Sequence, residues 1–224
     1  MGDVLVNLLP VIVGAAVVPL YPIIVLLLLQ SRGGLSKALA FISGGLMMRL
    51  VQGVIFGLLL GEAMDANGDD GQALITSTLL LVVGVLLLVT AVRKWRKEED
   101  PDDPPPQWMT GISTLSSWRA LGAGALFVTI AVKQWVFTLS AISIIGEAEL
   151  GATTGIGLYL FYTLTTQLLV LPPVLAFILA PERSAKPLQA AQGWLERNNR
   201  VIVMTVSLIF GLWFSYKGIT GLIG

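Results

Sequence analysis

The chain contains no cysteine and no histidine among its 224 residues. Without cysteine it can form no disulfide, carry out no thiol redox chemistry and build no Cys/His zinc site. Without histidine it also lacks the commonest general acid and base of enzymes. We therefore expect a protein that is not an enzyme, with no catalytic residue, no metal site and no cofactor.

Charge is also scarce in this chain. Only 12% of the residues are charged, about half the share found in an ordinary soluble domain, while 55% are hydrophobic. The formal net charge is zero, which gives no reason to expect a nucleic acid partner. Because the charges gather between long apolar runs, the composition predicts an integral membrane protein whose partners are membrane lipids.

Six runs with at most one charge each are long enough to cross about 30 Å of hydrocarbon. They cover residues 4–30, 38–61, 73–92, 120–145, 151–179 and 201–216. Backbone groups in lipid must be satisfied within a helix or a closed barrel, and the alternating pattern of a barrel is missing. The predicted fold class is an all-α integral membrane protein with six transmembrane helices.

A charged, proline-rich segment at residues 96–117 divides the chain into two halves, residues 1–95 and 118–224, with three runs each. We expect this segment to be a cytoplasmic linker. An odd number of spans per half places the halves in opposite orientations, so the sequence predicts two inverted three-helix repeats. Six helices without a repeat are the alternative.

The segments between the runs separate the charges by sign. Cations gather on one side, at Arg32, Lys37, Arg93, Lys94, Arg96, Lys97, Arg119, Arg183, Lys186, Arg197 and Arg200. The other side carries Asp3, Glu62, Asp65, Asp69, Asp70, Glu147 and Glu149, with Lys217 as its only cation. Because cationic loops stay in the cytoplasm, we predict a cytoplasmic (inner) membrane protein with both termini extracytoplasmic. Residues 187–199 have apolar residues at helical spacing and predict a helix along the cytoplasmic surface.

Two cations lie inside apolar runs, Arg49 in the second and Lys133 in the fourth. A cation at such depth costs about 3 kcal/mol or more unless it is paired or hydrated. None of the six runs contains an Asp or Glu, so neither cation has an acidic partner at its own depth. We expect both to bind the negative charge of a substrate in one cavity. Pairing with carbonyls and polar side chains is the alternative.

Polar residues occur at the same depth as these cations. Gln52 lies three positions after Arg49, and Gln134 adjoins Lys133. Tyr159, Thr163 and Gln167 form a polar face in the fifth apolar segment, at positions i, i+4 and i+8. The predicted substrate-binding residues are Arg49, Lys133, Gln52, Gln134, Tyr159, Thr163 and Gln167. Taken singly, such polar residues usually join helices to one another.

Prolines and glycines interrupt these runs. Pro19 and Pro22 lie within the first run, and Pro172 and Pro173 lie within the fifth. They predict broken helices of the kind that form transport sites, or else simple kinks. Glycines follow the register of Arg49 at Gly45, Gly53, Gly57 and Gly61. This ridge predicts close helix packing that holds Arg49 beside a neighbouring helix.

The order and spacing of several motifs resemble the GAP family of peptidoglycolipid- and sulfolipid-addressing proteins, within the LysE transporter superfamily. The motifs are PLYPII at residues 19–24, RALGAG at 119–124 and WLERNN at 194–199. Where the superfamily often has Asn-Pro-Lys, this chain has Ala131-Val132-Lys133, so only the lysine carries over. The resemblance implies a six-helix exporter fold and, in some relatives, delivery of glycolipids to the cell surface.

These observations favour a transporter or flippase that exports an anionic amphiphile or glycolipid across the cytoplasmic membrane. Two alternatives stay open, namely an exporter of small solutes such as an amino acid or anion, and a scaffold for cell-envelope lipid assembly that transports nothing. Exporters of divalent metals are excluded, because their sites need carboxylates or other hard oxygen ligands. The sequence leaves open whether the chain forms a homo-oligomer.

Overall fold

A computed structural model describes residues 2–16, 19–96 and 111–223, with the side chains of residues 61–70, 72–73 and 132–133 left out of the description. Most of the linker predicted at 96–117 lies outside these residues. The described part of the chain contains no strand. Its helices are α1 (Gly2–Ala16), α2 (Leu20–Leu29), α3 (Gly34–Arg96), α4 (Ser117–Ile130), α5 (Val132–Glu147), α6 (Ala152–Thr165), α7 (Leu171–Leu179) and α8 (Pro181–Ile223).

Three helical segments are long and apolar enough to cross a membrane by themselves: Gly34–Leu60, Leu74–Arg96 and Pro181–Ile223. Two further candidates are bent pairs, with an angle of 54° between α1 and α2 and of 71° between α4 and α5. The protein is therefore an all-helical, multi-pass membrane protein with three to five candidate spans. The predicted fifth span is divided between α6 and α7, so the six-span count and the inverted repeat stay predictions.

The helix α3 contains both the second and the third predicted spans. Its helical backbone continues through residues 62–72, where the sequence predicts a loop. It is not one straight rod. Arg49 contacts Gln134 of α5, Thr76 contacts Ser143 of the same helix, and Val83 packs near Phe137. At 1.5 Å per residue, a straight helix would place Arg49 and Val83 about 50 Å apart. The helix axis therefore reverses between its two apolar segments.

The last helix, α8, joins two predicted elements, the surface helix at 187–199 and the final span. No glycine or proline separates them, and Asn198 donates to the carbonyl of Trp194 within the helix at 2.8 Å. Beside α8, the second segment of α3 runs antiparallel. Arg200 donates to the carbonyls of Lys94 and Trp95 at one end, where it satisfies the last carbonyls of α3.

Glycines allow the helix backbones to approach closely. A Cβ at Gly44 would meet the carbonyl of Leu121, and a Cβ at Gly124 would meet the carbonyl of Phe41. This is the small-residue packing typical of membrane helices. The buried apolar residues form two clusters, one around Phe137 and Phe214 and the other around Phe41.

Candidate functional site

Arg49 lies in the middle of the first apolar segment of α3 and is only 2% exposed. Its Nη1 donates to Thr166 Oγ1 at 2.6 Å, and its Nη2 donates to Gln134 Oε1 at 3.3 Å. Both partners are neutral, and Nε has no partner. Within the described residues no carboxylate pairs with this guanidinium. Among the described residues, the partners of this positive charge are therefore dipoles, the Thr166 hydroxyl and the Gln134 amide.

Three helix breaks meet at Arg49. The first separates α1 from α2, the second lies at Ala131 between α4 and α5, and the third is the turn of residues 166–170 between α6 and α7. Thr166 directly follows α6, and Gln134 lies in the first turn of α5. Gln134 also donates from Nε2 to the carbonyl of Ala15 at 3.2 Å, near the end of α1. Arg49 thus reaches two breaks directly and the third through Gln134.

The break at Ala131 occurs without proline or glycine. Ala131 has φ −73° and ψ 81°, outside the helical region, although its N–H still donates to Phe127 at 3.0 Å. The indole Nε1 of Trp135 donates to the carbonyl of Val128 at 3.3 Å. A side chain therefore supplies a donor to one of the carbonyls that the break frees. No local feature of residues 128–135 predicts this interruption.

Two tyrosines flank Arg49 where two glycines leave room for them. Gly45 and Gly53 lie one turn on either side of Arg49 in α3. A Cβ at Gly45 would be 3.0 Å from Tyr21 Oη, and a Cβ at Gly53 would collide with the ring of Tyr159. The predicted close packing is found at these two glycines. A Cβ at Gly57, by contrast, would have no atom within 4 Å. The surroundings of Gly61 are not among those that the structure describes.

Tyr159 is also tied to Arg49 by its hydroxyl, which donates to the Arg49 carbonyl at 2.6 Å. Two buried amides, Gln52 and Gln167, have no hydrogen-bond partner among the described residues. Neither the N nor the O of these amides is paired there, although the side chains are only 2% and 4% exposed. Each unpaired buried polar group costs about 1–3 kcal/mol. The site therefore has unused capacity for hydrogen bonds to water or a ligand.

The structure brings most of the predicted site residues together. Gln134, Tyr159 and Arg49 are linked by hydrogen bonds. Gln52 on α3, Thr163 on α6 and Gln167 in the turn after α6 are buried. The Lys133 side chain lies outside the described residues, and only its backbone is placed, in the first turn of α5 beside Gln134. Whether Lys133 shares the site with Arg49 stays a prediction.

Thr166 is the residue that the sequence reading missed. The predicted polar face of Tyr159, Thr163 and Gln167 required one continuous helix, whereas α6 ends at Thr165. The hydroxyl of Thr166 donates to the carbonyl of Thr163 at 2.7 Å while it accepts from Arg49. Its position three residues after Thr163 is the only signal in the sequence.

The four prolines take specific positions at the breaks. Pro19 directly precedes α2, and Pro22 lies in its first turn. Pro172 and Pro173 are the second and third residues of α7, within its first turn. A proline has no N–H to donate to the carbonyl four residues earlier, so it interrupts a helix interior but is tolerated in the first turn. Each break therefore lies just before the prolines.

A family model described as "Sap, sulfolipid-1-addressing protein" matches residues 8–220. The chain belongs to the sulfolipid-1-addressing protein family. This match supports the GAP-like family that the motifs resemble, whereas membership of the LysE superfamily stays a prediction. No curated protein and no solved structure is significantly similar to the chain. The Sap match runs from α1 to the last turns of α8 and includes Arg49 and all its partners. The family description points to a role in lipid addressing or export.

Proposed function

We propose that this member of the Sap family exports or flips an anionic amphiphile across the cytoplasmic membrane, and that Arg49 binds the anionic group. The observation that carries the proposal is a buried guanidinium whose partners among the described residues are neutral, at a point where three helix breaks meet. A cation in the middle of a span is costly when it has no counter-ion. An anionic ligand would remove that cost and take up the unpaired polar groups around it.

The broken helices add to the attraction for an anion. The N-terminus of α5 carries a partial positive charge, and it lies beside Gln134, which contacts Arg49. Discontinuous helices whose ends face a site in the membrane are typical of transporters. Each half of the chain also opens with a bent pair, α1–α2 in the first and α4–α5 in the second. This correspondence is compatible with an inverted repeat.

A lipidic substrate is favoured over a small solute because the description of the Sap family names a lipid. In the proposed mechanism Arg49 stays charged and holds the substrate's anionic group, and movement at the three breaks opens the site to either side. The scaffold alternative gives no role to a buried cation whose described partners are neutral.

Transport in proteoliposomes tests this proposal. The purified protein is reconstituted with a fluorescent anionic lipid or its zwitterionic counterpart, and the appearance of each lipid in the other leaflet is followed by chemical quenching. We expect faster movement of the anionic lipid and loss of this acceleration in Arg49→Gln. Arg119→Gln is the matched control, because Arg119 is exposed on α4.

The outcomes separate the three functions. Equal rates for both lipids in protein-containing and protein-free vesicles would leave the scaffold as the better reading. Movement of a small anion that depends on Arg49, without lipid movement, would favour the solute exporter. An Arg49→Gln protein that still accelerates the anionic lipid would overturn the role of Arg49.

A further inference from the structure

A cavity lies away from Arg49, at the end of the bundle that the charge pattern predicts to be extracytoplasmic. Its volume is about 530 Å³, within the range of small-molecule sites. Residues from α1, the second segment of α3, α5 and α8 line it. We call it the outer pocket. The residues used below are Asp3, Leu80, Glu147, Trp213, Phe214 and Lys217.

The outer pocket is separate from the Arg49 site. Glu147 lies thirteen residues after Gln134 along α5, which corresponds to about 20 Å of helix. Between them Phe137 and Phe214 pack edge to face, with ring centroids 6.2 Å apart. Phe214 lines the outer pocket, while Phe137 is one turn from Gln134 and nearly fully buried. This aromatic pair belongs to the apolar layer that divides the two sites.

Charges of both signs line the outer pocket without neutralising each other. The carboxylates of Asp3 and Glu147 can only accept hydrogen bonds. Lys217 Nζ donates to Asn7 Oδ1 at 2.7 Å, and in the described part of the chain it forms no ion pair with either acid. An ammonium group has three donors, so Lys217 keeps two for a ligand. The pocket therefore offers acceptors and donors at different points of its wall.

We infer that the outer pocket binds a zwitterionic amphiphile, with an ammonium group at Asp3 and Glu147 and a phosphate-type anion at Lys217. Leu80 and Phe214 provide an apolar wall for hydrocarbon. Trp213 is half exposed beside them, as expected for an aromatic residue at the membrane interface. A phospholipid with a primary ammonium head group combines these features. This inference does not depend on the anion site at Arg49.

Native mass spectrometry of the detergent-solubilised, full-length protein provides the test. The protein is titrated with phosphatidylethanolamine and, separately, with phosphatidylglycerol of the same chains. We expect Glu147→Gln and Lys217→Gln each to weaken binding of phosphatidylethanolamine at least about fivefold, since each removes a charged hydrogen-bond partner. Phosphatidylglycerol adducts should be unchanged in Glu147→Gln. Glu149→Gln and Lys186→Gln are the matched controls, because neither residue lines the pocket.

Soluble phosphoethanolamine identifies the source of the head group. If phosphoethanolamine displaces phosphatidylethanolamine only weakly, the ligand is a lipid. If it binds as strongly as the lipid does, the pocket is a site for a free zwitterion, and the proposal of a lipid ligand is overturned. Unchanged binding of phosphatidylethanolamine in both variants would overturn the site altogether. Circular dichroism checks that the variants fold. If Glu147→Gln does not fold, Asp3→Asn in the exposed first turn of α1 carries the same test.

Discussion

Arg49 donates a 2.6 Å hydrogen bond to Thr166, a residue 117 positions away in the sequence. This contact joins the middle of an apolar helix to the turn that follows α6. The Thr166 hydroxyl faces two partners, because it also donates to the carbonyl of Thr163. One hydroxyl therefore closes a helix end and compensates a buried cation.

Thr166→Val should destabilise the protein by about 1–3 kcal/mol, because it leaves a guanidinium N–H without its closest partner in a buried site. Thermal unfolding in detergent measures the effect. Thr165→Val is the matched control, since the Thr165 hydroxyl bonds only to the carbonyl of Phe161 in its own helix. Equal stability losses for the two variants would show that the contact with Arg49 contributes nothing specific.

Gly53→Ala should destabilise the protein by about 1–3 kcal/mol, because its Cβ collides with the ring of Tyr159 and displaces the hydroxyl from the Arg49 carbonyl. Gly57→Ala is the control with the same chemical change in the same helix. Nothing lies within 4 Å of its Cβ position, and alanine is favoured over glycine in a helix by up to about 1 kcal/mol. A Gly53→Ala protein as stable as Gly57→Ala would contradict the packing described.

Trp135→Phe tests the break at Ala131. Phenylalanine keeps an aromatic ring near Phe56, which lies 5.7 Å from the Trp135 ring, but it loses the donor to the Val128 carbonyl. We expect a loss of stability of about 0.5–1.5 kcal/mol. Trp118→Phe serves for comparison, because Trp118 is 80% exposed. If both changes have the same effect, the indole does not stabilise the break.

Lys133→Arg tests the hypothesis that any coupling of transport to protons runs through Lys133. Of the residues in the predicted spans, Lys133 is the one cation that can release a proton, whereas arginine stays protonated and keeps the charge. We expect the variant to bind substrate but to lose the response of transport to an imposed pH gradient in proteoliposomes. Lys186→Arg, at an exposed position of α8, should keep that response. Gradient-driven transport that survives in Lys133→Arg would favour anion exchange instead.

Cysteine labelling tests the orientation, and the absence of native cysteine leaves no background. A single cysteine at Asn67 should react with a membrane-impermeant maleimide in intact cells, because the cation-rich segments are expected in the cytoplasm. A cysteine at Ala185 should react only after permeabilisation. The reverse pattern would invert the predicted topology and place the outer pocket on the cytoplasmic side.

The sequence by itself predicted the helical membrane class, the apolar segments of α3 and the burial of Arg49 inside the bundle, because hydropathy and a charge within a span are local properties. Close packing at Gly45 and Gly53 was also predictable, since both share one helix face with Arg49. The predicted loop at residues 62–72 has a helical backbone instead. Its Gly, Asn and Asp residues are poor helix formers, so local propensity gave no indication of this helix.

Only the tertiary structure decided which groups surround Arg49. Thr166 and Gln134 are its partners because three separate helix breaks come together, and packing between residues more than 80 positions apart determines that arrangement. The break at Ala131 has no proline or glycine to mark it and is supported by a side chain of the next helix. The outer pocket combines residues from both ends of the chain, Asp3 and Lys217 among them. Their proximity depends on how α1 and α8 pack, which no local pattern encodes.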